Sequence, residues 1–149
     1  MSSFKTWVAG ARPRTLPAAI SPVLVGTALI RRDHQGINYL NALLALLVSL
    51  LLQIAVNFAN DYSDGIRGTD DVRVGPIRLV ASGLATAAAV KRAAFTCFGA
   101  AGVFGIVLAA RVSWWLVLVG AVSIIAAWTY TGGKHPYGYA GYGEISVFL

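Results

Sequence analysis

Charged residues are scarce in this sequence. Asp, Glu, Lys and Arg make up only 12% of its 149 residues, which is about half the charged share of an ordinary soluble domain. A surface that faces water cannot be built from so few charges, and this excludes a soluble globular domain. Cysteine is scarcer still, because the single Cys97 excludes both an intrachain disulfide and a multi-cysteine metal site.

Acidic residues are the rarer sign of charge, with six Asp and Glu against twelve Lys and Arg, for a net charge of +6. A basic protein binds nucleic acid through a continuous cationic face. Here the basic residues stand in clusters between long apolar runs. We therefore expect no nucleic-acid partner, and we interpret the positive balance as a determinant of membrane topology.

Hydrophobic residues, by contrast, make up 57% of the chain. Between the charges they form four segments, each near the roughly 20 residues that cross the hydrocarbon of a bilayer. Lipid tolerates no unpaired backbone group, so segments this apolar and closely spaced are expected to be helices. We predict an all-α, polytopic transmembrane helical bundle in contact with the lipid bilayer. The four segments are Thr15 to Ile30, Tyr39 to Asn60, Ala93 to Ala110 and Val112 to Thr131.

A fifth apolar segment begins near Glu144, and the chain ends at Leu149, about two helical turns later. We therefore expect residues 1–149 to be the N-terminal part of a single transmembrane domain, with four helices and the start of a fifth. No repeat, low-complexity tract or linker divides the chain.

The distribution of basic residues predicts which loops face the cytoplasm. One side carries most of them, and the other side carries only Arg31, Arg32 and Arg111. The N-terminus is therefore expected on the cytoplasmic side of the cell membrane. A cleaved signal peptide is the alternative for the first apolar run, but no small-residue cleavage pattern precedes Arg31-Arg32-Asp33. The basic residues of the cytoplasmic side are Lys5, Arg12, Arg14, Arg67, Arg73, Arg78, Lys91, Arg92 and Lys134.

The one long polar interval, Asp61 to Arg92, begins where the second apolar segment ends. At 100° per residue, Gln53, Asn57, Asp61 and Asp64 fall on one stripe of a helix, with Asn60 beside it. Such groups are costly at membrane depth and normally face a bundle interior or a water-filled cavity. The alternative is that the two aspartates are only the solvated end of the second helix.

Asp61 and Asp64 stand one turn apart and are flanked by amide oxygens, a donor set that suits Mg²⁺ completed by substrate phosphates. The arginines that follow have guanidinium groups suited to phosphate oxygens, although each of them also fits simple positive-inside anchoring. This pattern predicts a diphosphate site. Its predicted members are the catalytic and metal-binding Asp61 and Asp64, a further metal ligand at Asp70, and the arginines Arg67, Arg73 and Arg78.

Asn60-Asp61-Tyr62-Ser63-Asp64 resembles the first aspartate-rich motif, NDxxDxxxD, of the UbiA-type intramembrane prenyltransferases. Gly68 stands where the third acid of that motif would be, and Asp70 follows two residues later. This departure is similar to one branch of the family, which acts on 1,4-dihydroxy-2-naphthoate in menaquinone synthesis. That branch continues into a GPxR segment, as at residues 75–78 here.

Other motifs of that branch appear in the same order along almost the whole chain. They are Trp7, the run Ala11-Arg12-Pro13-Arg14-Thr15-Leu16-Pro17, Ser82-Gly83, the YTGG of residues 130–133, the PYGY of residues 136–139 and the GxGE of residues 141–144. Lys134-His135 departs from the pattern, which has a proline-containing dipeptide there.

The resemblance implies nine transmembrane helices around a cavity, with two aspartate-rich motifs facing each other at its cytoplasmic side. It also implies transfer of a polyprenyl group from its diphosphate to 1,4-dihydroxy-2-naphthoate, with Mg²⁺ and with loss of CO₂, giving demethylmenaquinone. Only the first motif is present here, so residues 1–149 alone are expected to be inactive. The residues predicted to contact substrates are Asn57, Asn60, Arg67, Arg78, Arg12, Arg14, Tyr130 and Tyr139.

Some of these roles have alternatives. Arg12 and Arg14 equally fit membrane anchoring, and Tyr130 and Tyr139 fit an interfacial aromatic belt. A transporter fragment would also place polar residues on one helix face, but it has no need of the arginine-rich, glycine-broken interval that follows. An enzyme with another acceptor, 4-hydroxybenzoate or haem, would share the NDxxD core, and the displaced acid and the GPxR segment argue against it.

Overall fold

The computed structural model describes residues 4–33, 36–68, 77–133 and 136–142. These residues contain α-helices, two short 3-10 turns and loops, with no strand among them, so the all-α prediction is confirmed. The helices are α1 (Phe4–Ala11), α2 (Leu16–Arg32), α3 (Tyr39–Arg67), α4 (Ala87–Arg111) and α5 (Trp115–Thr131), and the 3-10 turns are Pro13–Thr15 and Tyr137–Ala140.

Three stretches are long and apolar enough to cross a membrane: Phe4–Arg32, Tyr39–Arg67 and Ala87–Arg111. The apolar helix α5 is shorter, at 17 residues. At 1.5 Å per residue, α3 is about 43 Å long and exceeds the roughly 30 Å of hydrocarbon. The chain is therefore a multi-pass helical membrane protein, and α3 is long enough to bring one of its ends out of the apolar layer.

The predicted segments match the helices except at their ends. The second segment was predicted to end at Asn60, but α3 continues to Arg67 and ends at Gly68, which has the left-handed φ of 68°. The polar motif is thus helical throughout. Helix α4 begins six residues before the predicted Ala93, at Ala87, because the Thr86 side chain accepts a hydrogen bond from the Ala89 amide and caps the helix there.

Helix α3 is the centre of the bundle, since it packs against α1, α2, α4 and α5. Its contact with α4 is the most extensive and uses small buried residues, which let the two backbones approach closely. The core cluster consists of Ala55, Phe58, Ala59, Leu79, Val90, Ala94 and Phe98. Leu79 is the one member that belongs to a loop, and its burial ties that loop to the bundle.

The helix is interrupted at residues 12–15, and this break separates α1 from α2. Arg12 has a φ of 53°, in the left-handed region that side-chain-bearing residues rarely adopt. The Thr15 amide donates to the Arg12 carbonyl, at 2.9 Å, instead of to the Ala11 carbonyl that a continuous helix would use. The break therefore leaves the Ala11 carbonyl in need of a donor from elsewhere.

Candidate active site

A cavity of about 270 Å³ lies beside the C-terminal end of α3. Its lining comes from separate parts of the chain: the break after α1, α3, the loop before α4, the end of α5 and the second 3-10 turn. The lining residues are Arg12, Asn60, Asp64, Arg78, Tyr130, Thr131, Gly138 and Tyr139. Six of them were predicted from the sequence as site residues.

Asp64 is the acid of this cavity. Its carboxylate lies 3.1 Å from the Arg78 guanidinium, and both side chains are about nine-tenths buried. The Tyr139 hydroxyl donates a hydrogen bond to the same carboxylate. A buried carboxylate requires such partners because desolvation of an isolated charge is costly. Asp64 is therefore held in place by two residues that are distant in the sequence.

Asn60 contributes an amide oxygen, which accepts a hydrogen bond of 2.8 Å from the Thr131 hydroxyl. Thr131 was not predicted as a site residue, although it lies in the YTGG motif directly after the predicted Tyr130. Gly138, also missed, permits a close approach, because a Cβ there would lie 2.6 Å from the Tyr130 carbonyl oxygen. Its place in the PYGY motif was the available signal.

Asp61 does not line the cavity. It is fully buried, and its two carboxylate oxygens accept hydrogen bonds from the backbone amides of Leu79, at 2.8 Å, and Val80, at 3.1 Å. The structure thus separates the two aspartates that the sequence placed on one stripe. Asp64 faces the cavity, whereas Asp61 faces the backbone of the loop that carries Arg78.

Asn57 does not line the cavity either. Its side-chain amide donates to the Ala11 carbonyl, at 2.8 Å, and to the Thr15 hydroxyl, at 2.9 Å. Gln53 reaches the same hydroxyl at 3.4 Å. Gln53 and Asn57 of the predicted polar stripe therefore form their hydrogen bonds with the break between α1 and α2. Asn57 supplies the donor that the Ala11 carbonyl lacks.

Arg67 binds backbone as well. Its guanidinium donates to the carbonyls of Thr131, at 2.6 Å, and Gly133, at 2.8 Å, and lies 5.2 Å from the centre of the Tyr139 ring. It thereby caps the carboxyl end of α5, where a cation is favoured. Arg14 is exposed and is not among the lining residues. Asp70 and Arg73 lie outside the described residues.

The chain matches the model of the UbiA prenyltransferase family over residues 19–149. It belongs to that family. The match confirms the resemblance that the aspartate-rich motif indicated, and it makes the cavity at the end of α3 the candidate active site of a UbiA-family protein.

Curated relatives agree. The chain is 56% identical over its whole length to "1,4-dihydroxy-2-naphthoate octaprenyltransferase" of Mycobacterium tuberculosis, covering 51% of that protein. It is 52% identical over its whole length to the protein of the same name from Mycobacterium leprae, covering 50%, and 41% identical to that of Escherichia coli, covering 50%. The chain thus spans about half the length of these relatives. No solved structure matches it.

The oxygen donors of this UbiA-family cavity fit a divalent cation in part. Among the described residues there is no group of three or more Asp, Glu, His or Cys side chains that would hold a metal. Asp64 and Asn60 nevertheless offer a carboxylate and an amide oxygen in one cavity. Mg²⁺ keeps several waters and is usually bound through one or two carboxylates together with substrate phosphates, so this donor set suits it.

Proposed function

We propose that this chain is the N-terminal part of a membrane prenyltransferase. The reaction transfers a polyprenyl group from polyprenyl diphosphate to 1,4-dihydroxy-2-naphthoate, with decarboxylation, and gives the demethylmenaquinone of menaquinone biosynthesis. The acceptor is supported by the names of relatives that are 41–56% identical. The observation that carries the proposal is the cavity that joins Asp64 and Asn60 to two arginines at the end of a membrane helix.

The diphosphate is assigned to this cavity because of the charges that line it. Arg12 and Arg78 present guanidinium groups, which match phosphate oxygens in charge and geometry. Asp64 and Asn60 present the oxygens that suit Mg²⁺. When bound, Mg²⁺ would neutralise the diphosphate and so favour its departure as pyrophosphate. The predicted ligand Asp70 stays part of this proposal.

In this proposal the chain's own residues bind the leaving group. The Arg78 guanidinium is about nine-tenths buried, so it attracts the diphosphate more strongly than it would in water. The Asp64 carboxylate repels the diphosphate and contributes as a holder of Mg²⁺. Tyr130 and Tyr139 line the same cavity and offer aromatic faces to the allylic cation or the naphthoate ring. The long apolar prenyl chain requires an apolar path away from this polar pocket.

The orientation proposed from the basic residues places the active site on the cytoplasmic side of the cell membrane. The diphosphate substrate is strongly charged, and a cytoplasmic opening lets it bind and lets pyrophosphate leave without crossing the lipid. The cavity is at the C-terminal end of α3, beside the loop that the charge distribution assigns to that side.

The test is a reconstituted assay of the complete gene product in lipid, with Mg²⁺ and octaprenyl diphosphate. Dihydroxynaphthoate and 4-hydroxybenzoate are offered separately, and the products are identified by mass spectrometry. The proposal predicts demethylmenaquinone and release of CO₂ from the naphthoate, with at most a trace of product from the benzoate. Equal transfer to both acceptors, or transfer to the benzoate alone, would contradict the proposed acceptor.

A further inference from the structure

Asp61 is the first aspartate of the aspartate-rich motif, and it does not line the cavity. Asp61 is fully buried. One of its carboxylate oxygens accepts a hydrogen bond from the Leu79 backbone amide, and the other accepts one from the Val80 backbone amide. Hydrogen bonds from backbone N–H groups to a carboxylate are charge-assisted and strong. A buried carboxylate in this position stabilises the piece of backbone that supplies the donors.

That backbone is a compact turn, residues 78–85, called here the Arg78 turn. It is closed by its own hydrogen bonds, in which the Ser82 amide donates to the Arg78 carbonyl and the Leu84 and Ala85 amides donate to the Leu79 carbonyl. The amides of Leu79 and Val80 come before the first of these donors, and both donate to Asp61. Asp61 therefore satisfies the open end of the Arg78 turn from outside, as a capping side chain does for a helix.

Close packing against two glycines also fixes the Arg78 turn on the helical bundle. Gly65, one turn after Asp61 on α3, leaves space for Val80, since a Cβ at position 65 would lie 2.5 Å from the Val80 Cβ. Gly10 of α1 leaves space for Leu79, whose Cδ1 would lie 2.6 Å from a Cβ at that position. Leu79 is fully buried as a result. Gly10, Gly65 and the Asp61 carboxylate thus together fix where the Arg78 turn packs against the helices.

Arg78 is the first residue of this turn, directly before Leu79, and its guanidinium reaches the Asp64 carboxylate at 3.1 Å. A shift of the Arg78 turn along α3 therefore moves Arg78 relative to Asp64. We infer that Asp61 is a positioning residue, which seats the Arg78 turn so that Arg78 meets Asp64 and the prenyl diphosphate, and that it is not a metal ligand. This inference rests on the proposed function for its kinetic consequences.

The experiment compares Asp61→Asn with Gly65→Ala in the complete enzyme. Both unseat the Arg78 turn, but only the first removes a carboxylate. Each is expected to lower turnover about ten- to a hundredfold, the usual cost of losing a partner that orients a site residue. Each should raise the KM for prenyl diphosphate while leaving the KM for naphthoate and the half-saturating Mg²⁺ concentration within about twofold of wild type. Asp64→Asn, by contrast, should raise the Mg²⁺ requirement.

Two matched controls accompany these variants. A Cβ at Gly99 would meet nothing within 4 Å, so Gly99→Ala should leave the kinetics unchanged. Asp33 is exposed and pairs only loosely with Arg32, at 3.4 Å, so Asp33→Asn tests the removal of a carboxylate away from the site. Loss of activity in either control would show that the reconstituted enzyme is sensitive to any such change.

A double-mutant cycle tests whether the effect passes through Arg78. In an Arg78→Ala background the guanidinium to be positioned is absent, so adding Asp61→Asn should cost less than about threefold, because the two changes remove the same interaction. Full multiplication of the two losses would overturn transmission through Arg78. A rise in the Mg²⁺ requirement for Asp61→Asn equal to that for Asp64→Asn would instead make Asp61 a metal ligand.

A further measurement needs no catalysis, and so it separates this inference from the proposed function. Ala85 is half-buried in the Arg78 turn, and a cysteine is placed there in protein whose Cys97 and any other cysteine are replaced by alanine. Maleimide labelling in detergent should be at least about tenfold faster in Asp61→Asn and Gly65→Ala than in the parent, because a released turn exposes its inner face. Unchanged labelling in both variants would overturn the inference even if the enzyme used another acceptor.

Discussion

Replacing Asn57 with leucine tests the internal role that the structure gives to the polar stripe of α3. The Asn57 amide, 3% exposed, is the donor that meets the Ala11 carbonyl. Leucine branches at Cγ as asparagine does but is larger, so the change removes the hydrogen bonds without opening a cavity, and overpacking adds to the loss. The Thr15 hydroxyl, the second acceptor of that amide, keeps its own bond to the Arg12 carbonyl at 2.9 Å.

The expected cost comes mainly from the Ala11 carbonyl. The Thr15 amide that would bond it in a continuous helix donates to Arg12 instead, so Asn57→Leu leaves a part-buried acceptor without this donor. An orphaned buried polar group costs about 1–3 kcal/mol, whereas interhelical hydrogen bonds in membranes average about 0.6 kcal/mol. We expect the free energy of unfolding to fall by about 2 kcal/mol, within the first of these values, because the break between α1 and α2 fixes the backbone and limits relaxation.

The assay is thermal unfolding of the complete protein in detergent, with the KM for prenyl diphosphate measured in parallel. A loss of about 2 kcal/mol lowers the midpoint by roughly 4–8 °C in a chain of 150–250 residues, so a shift of a few degrees is expected in a complete protein about twice the length of this chain. The KM for prenyl diphosphate should rise because the same break carries Arg12 into the cavity. Asn41→Leu is the control, since the Asn41 side chain accepts a hydrogen bond from the exposed Arg111 side chain, at the other end of α3. A midpoint for Asn57→Leu no lower than that of the control would show that the Ala11 carbonyl does not depend on Asn57.

Three further predictions concern the site and the topology. Asp64→Asn should lower turnover at least about a hundredfold, since stabilisation of a leaving group is worth several kcal/mol, and wild-type rates would remove Asp64 from the site. Arg67→Ala should raise the KM for prenyl diphosphate by displacing Tyr139. Arg67→Lys should raise this KM as well, because a lysine lacks the planar guanidinium fork. A wild-type KM in Arg67→Lys would show that only the charge matters. A cysteine at Ser82 should resist impermeant maleimide on intact cells while one at Ser113 reacts, and the reverse pattern would invert the topology.

The helices were predictable because hydrophobicity and length decide them in a membrane. The end of α3 was not, since hydropathy fails where polar residues begin, and Asn60 to Arg67 remain helical because their side chains meet partners from other elements. The left-handed Arg12 was equally hidden, because nothing local requires it. It is stabilised by Asn57, which lies 46 positions from the carbonyl it bonds.

The composition of the cavity was largely predictable, but the division of labour within it was not. Helical spacing predicted Asn57, Asp61 and Asp64 on one stripe. Which group each side chain meets depends on where the Arg78 turn and the α1–α2 break pack, and these placements depend on contacts such as the space beside Gly65. Spacing along a helix therefore predicted a shared face, and the tertiary structure decides that Asp64 lines the cavity whereas Asn57 and Asp61 bond elsewhere.

A structure of the complete protein with Mn²⁺ in place of Mg²⁺ and a non-hydrolysable prenyl thiodiphosphate would test directly whether this cavity holds the metal and the diphosphate. We expect an anomalous peak within coordination distance of the Asp64 carboxylate and the Asn60 amide oxygen, with the diphosphate against Arg12 and Arg78. We also expect Asp61 to keep its hydrogen bonds to the backbone of the Arg78 turn. A metal bound by Asp61 would contradict its positioning role, and a diphosphate bound outside this cavity would show that the active site lies elsewhere.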